Sequence, residues 1–206
     1  MVKIKICGIT NIEDAQNAVS FGADFIGFIF ADSPRNIKLE EARSIIEKIK
    51  GDVLKVGVFV NETLRNVISI AEYCSLDLIQ LHGNEDPKYC SQLKDRQLIK
   101  AFRIKDDASL ALIPRYKDVF ACLLDTFSNQ RYGGTGRTFD WNLAIKAKEF
   151  GKPIILSGGL GLSNIKEAIK AVRPYGVDIS SSIETKPGKK DTKKMKELIS
   201  VIKALD

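Results

Sequence analysis

The sequence predicts an α/β fold in which eight parallel strands, each followed by a helix, close into a (β/α)8 barrel. Eight short β-rich runs alternate with longer segments of helical periodicity along the 206 residues. Several runs, such as FIGFIF and PIILS, are apolar at consecutive positions, which is typical of strands buried on both faces of a parallel sheet. The units follow one another without a linker or a change in composition, so we expect a single domain over residues 1–206.

The strands are assigned to residues 2–6, 25–30, 54–60, 76–81, 98–102, 120–125, 153–157 and 177–180. Before the first helix, Thr10 and Glu13 match the T-x-x-E capping box, and Gly22 suits its end. The second helical segment, LEEARSIIEKIKG, has Gly51 in the same place. Six more helical segments follow: ETLRNVISIAEYC, DPKYCSQLK, ASLALIPRY, DWNLAIKAKEFG, NIKEAIKAV and DTKKMKELISVIKALD. This order is that of a TIM barrel. An open, doubly wound sheet is the alternative, but no GxGxxG motif follows the first strand.

Charge and hydropathy exclude several classes of protein. No apolar run reaches the 18 residues of a membrane span, and no basic segment with a long apolar run begins the chain, so we expect a cytoplasmic protein. Lys and Arg outnumber Asp and Glu by 32 to 26, and the densest basic run is residues 186–196. No zinc finger, arginine-rich arm or RNP-like motif accompanies this charge, so we expect neither nucleic acid nor membrane as a partner. A local anion-binding site remains open.

Four cysteines and one histidine bound the possible metal chemistry. No two cysteines form a CxxC pair, so we expect no metal site. Cys74, Cys90 and Cys122 lie in apolar or helical surroundings and are interpreted as buried small hydrophobes. Cys7 differs, because it ends the first strand and Gly8 then turns the chain.

Active sites of such barrels lie at the carboxyl ends of the strands. We therefore expect the thiol of Cys7 to face the mouth of the barrel. Asp125 ends the sixth strand after an apolar run, where a carboxylate is costly unless it is paired or used. Arg35 follows the second strand and suits bidentate binding of a carboxylate or a phosphate, although a solvated arginine is equally compatible with its position. His82 ends the fourth strand and is interpreted as a structural or hydrogen-bonding residue.

Small residues follow the seventh and eighth strands, in SGGLGLSN and DISSSIE. In a barrel, such loops near a helix N-terminus bind phosphate. The loop of residues 126–139 is long, contains three glycines and is interpreted as a lid. A thiol, a carboxyl group, a cation and a phosphate site together favour metal-free proton transfer on a phosphorylated small molecule, that is, an isomerisation. A barrel that only binds such a ligand is the non-enzymatic alternative.

The motifs also resemble those of a known family. KICGIT, GADFIGFIFADSPR, KVGVFVNE, IQLHGNE, LLDT, GGTGRTFDW, SGGL and DISSSIE with PGKKD occur in an order similar to that of the phosphoribosylanthranilate isomerases of tryptophan biosynthesis. The resemblance covers nearly the whole chain. It implies a cofactor-free Amadori rearrangement of N-(5-phosphoribosyl)anthranilate to 1-(2-carboxyphenylamino)-1-deoxyribulose 5-phosphate, by a monomer or a homodimer.

The resemblance also implies roles for individual residues. Cys7 corresponds to the general base, Asp125 to the general acid and Arg35 to the residue that binds the anthranilate carboxylate. The expected phosphate-binding residues are Gly158, Gly159, Ser181 and Ser182.

One of these positions departs from the family. Ser182 stands where the family usually has glycine, and its side chain either crowds the phosphate or contributes a hydroxyl group. The related isomerase of histidine biosynthesis is the enzymatic alternative, but that family usually has an aspartate where this chain has Cys7.

Overall fold

The computed structural model describes residues 1–127 and 138–205. Within these ranges, eight parallel strands form one closed barrel whose neighbours follow chain order, and the last strand pairs with the first. The fold class is therefore confirmed. The strands are β1 (Lys3–Cys7), β2 (Phe25–Ile29), β3 (Leu54–Phe59), β4 (Leu78–Leu81), β5 (Gln97–Ile104), β6 (Ala121–Thr126), β7 (Ile154–Leu156) and β8 (Gly176–Ile179).

Helices cover the outside of the barrel: α1 (Ile12–Phe21), α2 (Leu39–Lys48), α3 (Leu64–Tyr73), α4 (Pro87–Ser91), α5 (Asp107–Leu110), α6 (Trp141–Ala147), α7 (Ile165–Val172) and α8 (Thr192–Lys203). In the described ranges, none of them is long and apolar enough to cross a bilayer. The segment expected as one helix after β5 forms only α5 and a 3-10 turn at Ile113–Arg115, where Pro114 cannot donate a backbone hydrogen bond. A hairpin of β9 (Glu184–Lys186) and β10 (Lys189–Lys190), which the sequence did not predict, follows β8.

The first helix is capped differently from the prediction. Asn11, not Thr10, is the N-cap, and its side-chain oxygen accepts a hydrogen bond from the backbone N–H of Asp14 at 2.9 Å. Asparagine is among the best N-cap residues, which explains why it takes this position. The hydroxyl of Thr10 instead donates to the carbonyl of Gly188. The expected end of the helix is confirmed, since Gly22 lies in the left-handed region with φ +96°.

The second helix ends earlier than expected. It stops at Lys48, and Ile49 is already extended, so the prediction that Gly51 ends the helix is wrong. Gly51 has φ +103° and belongs to the turn that leads into β3.

Two apolar layers hold the barrel together. Side chains alternate along each strand, so one set fills the barrel and the other packs under the helices. The inner set is buried in one cluster: Phe25, Val56, Leu78, Ile99, Ala101, Ala121, Leu123 and Ile155. The outer set includes Ile4, Ile6, Ile26 and Phe28. Odd-numbered residues of β1 and β6 therefore point into the barrel, and this alternation directs Cys7 and Asp125 inward.

Candidate active site

Cys7 ends β1 at the mouth of the barrel and is 6% exposed. Gly8 then turns the chain with φ +77°, and the backbone N–H groups of Gly8 and Ile9 both donate to the carbonyl of Gly27 at 2.9 Å. The predicted position of the thiol is thus confirmed. All four cysteines of the chain are free and buried, as expected for the other three.

Two charged side chains lie inside the barrel next to Cys7. Lys5 on β1 pairs with Asp178 on β8, with 2.9 Å between Nζ and Oδ1. Burial raises the pKa of the Cys7 thiol above its usual value. The Lys5 ammonium opposes that rise, whereas the Asp178 carboxylate adds to it.

Asp125 lies near the end of β6 and is 3% exposed. Its Oδ1 accepts a hydrogen bond from the backbone N–H of Thr126 at 2.8 Å, and its Oδ2 lies 3.2 Å from Nε2 of His82. The other ring nitrogen of His82, Nδ1, is 2.9 Å from Nε2 of Gln80. The carboxyl group is therefore held on both oxygens, and the interpretation of His82 as a hydrogen-bonding residue is confirmed.

Arg35 leaves the loop after β2 and lies over the turn that follows Cys7. A Cβ atom added at Gly8 would come within 2.7 Å of Cδ of Arg35, so the absence of a side chain at Gly8 makes room for the aliphatic part of the arginine. The guanidinium forms a two-pronged ion pair with Glu184, in which Nε lies 2.9 Å from Oε1 and Nη2 lies 2.7 Å from Oε2. The edge that carries Nη1 takes no part in this pair and can receive a second carboxylate.

Lys190, on β10, joins this ion pair to the backbone of Cys7. Its Nζ donates to the carbonyl of Cys7 at 2.6 Å, to Oε1 of Glu184 at 2.8 Å and to the carbonyl of Ser180 at 3.3 Å. Burial lowers the pKa of Lys190, and the charge of Glu184 opposes this. For Glu184, burial raises the pKa, but the hydrogen bonds and charges of Arg35 and Lys190 outweigh burial and leave it below the usual value.

Sequence reasoning did not single out Glu184, Lys190, Lys5 or Asp178. Glu184 and Lys190 were quoted within the segment after the eighth strand, but without roles of their own. Lys5 could have been found from the alternation of side chains along KIKIC, which places this lysine on the inward face of the strand together with Cys7.

The loop after β7 lies against Asp125. Gly158 and Gly159 both have positive φ, at +82° and +63°. A Cβ atom at Gly158 would come within 2.2 Å of Oγ1 of Thr126 and 3.1 Å of Oδ1 of Asp125, so only glycine fits there. The glycines thus bring main chain next to the carboxyl group.

The loops after β7 and β8 also meet each other. A Cβ atom at Gly161 would lie 3.0 Å from Cβ of Ser182, which belongs to the one-turn 3-10 helix Ser181–Ile183. Asn164 braces the β7 loop by accepting from the backbone N–H of Gly161 at 2.9 Å and donating to the carbonyl of Gly159 at 3.0 Å. The two loops that contain the expected phosphate-binding residues are therefore in contact.

The predicted lid, residues 126–139, falls mainly outside the described residues, because residues 128–137 are not among them. What the structure brings together is a thiol, a carboxyl group and an arginine around one barrel mouth, with two small-residue loops beside them. A carboxyl group and a thiol at one barrel mouth can serve as acid and base for a ligand bound between them.

Comparisons with known proteins agree with this geometry. The family model of N-(5'phosphoribosyl)anthranilate (PRA) isomerase matches residues 4–201. An N-(5'-phosphoribosyl)anthranilate isomerase from Geobacter metallireducens is 50% identical over 205 residues, which are 99% of this chain and 100% of the relative.

Two solved structures are similar along the whole barrel. One is a phosphoribosyl anthranilate isomerase in complex with reduced 1-(o-carboxyphenylamino)-1-deoxyribulose 5-phosphate, at 38% identity and TM-score 0.89, covering 99% of this chain and 100% of that chain. The other shows mutually generated monomers of the dimeric phosphoribosylanthranilate isomerase from Thermotoga maritima, at 39% identity and TM-score 0.89, with the same coverage.

Proposed function

The chain belongs to the N-(5'-phosphoribosyl)anthranilate isomerase family, and we propose that it converts N-(5'-phosphoribosyl)anthranilate to 1-(2-carboxyphenylamino)-1-deoxyribulose 5-phosphate in tryptophan biosynthesis. The reaction is an aldose-to-ketose isomerisation. The observation that carries the assignment of roles is that Cys7 and Asp125 both point into the barrel mouth from β1 and β6. Two strands, β7 and β8, separate them on the shorter way around the ring.

Asp125 is the proposed general acid. It gives a proton to the ring oxygen of the ribose, the bond from C1 to that oxygen breaks, and the nitrogen lone pair forms an iminium ion. The hydrogen bond to His82 at 3.2 Å fixes the direction of the carboxyl group. The glycine loop beside it packs main chain against the carboxyl group.

Cys7 is the proposed general base. The thiolate takes the proton from C2, the electron pair of that bond neutralises the iminium ion, and the resulting enol becomes the ketone by tautomerisation. Because the ring opens within one molecule and the substrate gains one proton and loses one, the sum of both steps leaves substrate and product as isomers. Neither step requires a redox group.

Arg35 and the two small-residue loops supply the proposed binding contacts. The Nη1 edge of Arg35 receives the anthranilate carboxylate, while Glu184 holds the opposite edge. The phosphate lies against the backbone of the paired loops, where the proposed contacts are Gly158, Gly159, Ser181 and Ser182.

We propose the whole chain, residues 1–206, as one functional domain. A cytoplasmic setting suits an enzyme whose proposed base is a free thiol, because thiols stay reduced there. A monomer or a homodimer remains the prediction for the assembly.

The test is a fluorescence assay of substrate consumption. Phosphoribosylanthranilate is generated in situ, and wild type, Cys7→Ala and Asp125→Ala are added in parallel. We expect wild type to consume the substrate and each variant to lose at least ~10²-fold in turnover. Near-wild-type rates in either variant would contradict the catalytic role proposed for the substituted residue. No consumption by wild type would overturn the proposed reaction.

A further inference from the structure

Lys5 is an unusual occupant of the barrel interior. Its side chain is 1% exposed and its ammonium pairs with Asp178, whose side chain is 7% exposed. A buried ion pair seldom stabilises a protein more than apolar residues of the same volume would, because both ions lose their hydration. Barrel stability alone therefore gives little reason for a lysine at this position, close to the apolar cluster that fills the barrel.

The lysine and the cysteine share one face of β1 and converge on one neighbour. A Cβ atom added at Gly27 on β2 would lie 2.8 Å from Sγ of Cys7 and 3.0 Å from Nζ of Lys5. Gly27 is paired with Cys7 in the barrel register. A side chain at this position would push the ammonium and the sulfur apart, so glycine keeps them adjacent.

The charged groups around Cys7 act on its thiol in opposite directions, and only the two cations among them favour the thiolate. Lys5 and Lys190 both stabilise a negative sulfur, whereas Asp178 opposes it. Burial lowers the pKa of Lys5, but the charges of Asp178 and Cys7 and their hydrogen bonds outweigh burial and raise it, so Lys5 keeps its proton. The charged groups nearest to Cys7 and its backbone, from all elements packed there, are Lys5, Asp178, Lys190, Arg35 and Glu184.

We propose that Lys5 is the positioning residue of the catalytic base: its buried ammonium, held in place by Asp178 and given space by Gly27, stabilises the thiolate of Cys7. The inference rests on the proposed function, in which that thiolate removes the C2 proton. Lys5 stays protonated throughout, and the only proton that moves in this step goes from C2 of the substrate to Sγ.

The experiment measures the thiol directly. Alkylation of Cys7 by iodoacetamide is followed against pH by mass spectrometry of the peptide that contains it, because the thiolate is the reactive form. The charge-balanced double variant Lys5→Met/Asp178→Asn removes the cation without leaving an unpaired carboxylate. The matched control is Lys100→Met/Glu85→Gln, which removes a second buried pair, 3.0 Å apart, on the outer side of β5.

We expect the midpoint of Cys7 reactivity to rise by about one pH unit in the Lys5→Met/Asp178→Asn variant, which makes alkylation near neutral pH about tenfold slower. The control variant should titrate like wild type. The acid limb of the kcat/KM profile should move with the thiol midpoint. An unchanged midpoint in the folded double variant, or an equal rise in the control, overturns the proposal.

For one single variant the proposal predicts a change of the Cys7 reactivity midpoint in the opposite direction. Asp178→Asn removes the opposing carboxylate and leaves the ammonium, so the midpoint should fall; a constant or higher midpoint overturns the proposal even if the double variant does not fold. An active Cys7→Ala variant would overturn only the role of Cys7 as base, because the alkylation readout of Lys5 does not depend on turnover.

Discussion

Nε2 of His82 lies 3.2 Å from Oδ2 of Asp125, so the one histidine of the chain contacts the carboxyl group proposed as the acid. Gln80, two residues earlier on the same inward face of β4, contacts the other ring nitrogen at 2.9 Å. Three side chains from β6 and from β4 and its end thus form a line that ends at the carboxyl group of the proposed acid. In the proposed steps the histidine would orient Asp125 and has no reacting atom of its own.

Removal of this contact should slow turnover more than it weakens binding. For His82→Ala we expect kcat to fall by roughly tenfold or more with little change in KM, because the acid loses its orientation while the substrate contacts stay. Steady-state kinetics and the pH profile of kcat are the measurements. Thermal unfolding of the variant controls for loss of structure, and an equal rise in KM would contradict a positioning role.

The ion pair of Arg35 with Glu184 predicts a dependence on the substrate carboxylate. Arg35→Ala should raise KM by roughly 10- to 100-fold, as expected for the loss of a charged hydrogen bond. A substrate made from aniline, which lacks the carboxylate, should bind wild type and Arg35→Ala about equally. Glu184→Gln should give a smaller rise in KM with anthranilate, since the arginine stays but loses its anchor. Equal discrimination between the two substrates in all three proteins would exclude Arg35 from carboxylate binding.

Ser182 lies in an exposed position beside Gly161 of the loop after β7. We expect Ser182→Gly to raise KM roughly tenfold at constant kcat, because one hydrogen bond from a hydroxyl to the charged phosphate is lost. Inhibition by inorganic phosphate should weaken by a similar factor. A lower KM in this variant would instead mean that the serine crowds the phosphate.

Burial raises the pKa of Cys122 to about 12. In the unfolded chain a cysteine ionises near ~8.5, so as pH rises above that value the unfolded state loses its proton first. Stability is therefore full below about pH 8.5 and falls as pH increases, by up to about 1.4 kcal/mol per pH unit for this group. Urea unfolding at several alkaline pH values should show a shallower decline for Cys122→Ala than for wild type. Parallel declines would contradict this source of alkaline sensitivity.

The sequence was sufficient for the parts of the site that depend on local order. Cys7 and Asp125 each end a run that reads as a buried strand, and the closed barrel then fixes which face of the sheet they occupy. The glycines after β7 were recognisable for the same reason, because their position after a strand carries the meaning. These predictions needed no knowledge of which distant segments touch.

The contacts that depend on distant segments were not predictable. Arg35 and Glu184 are 149 residues apart, and Lys190 is 183 residues from the carbonyl that it binds. The sequence showed only a loop rich in lysine there, which is typical of a solvated surface. The prediction of the α1 N-cap was wrong for a more local reason. Thr10 and Asn11 are both good N-cap residues, and only the geometry of the turn after Gly8 decides between them.

Two contacts of β1 have a consequence for folding during translation: its pairing with β8 and the hydrogen bond from Lys190 to the carbonyl of Cys7. While β8 is still inside the ribosome, the edge of β1 that pairs with β8 in the barrel is unpaired. The carbonyl of Cys7 then also lacks its hydrogen bond from Lys190. Such an edge invites strand exchange with other chains. Synthesis of β8 therefore closes the sheet, and synthesis of the hairpin that follows it completes the environment of a thiol on the first strand.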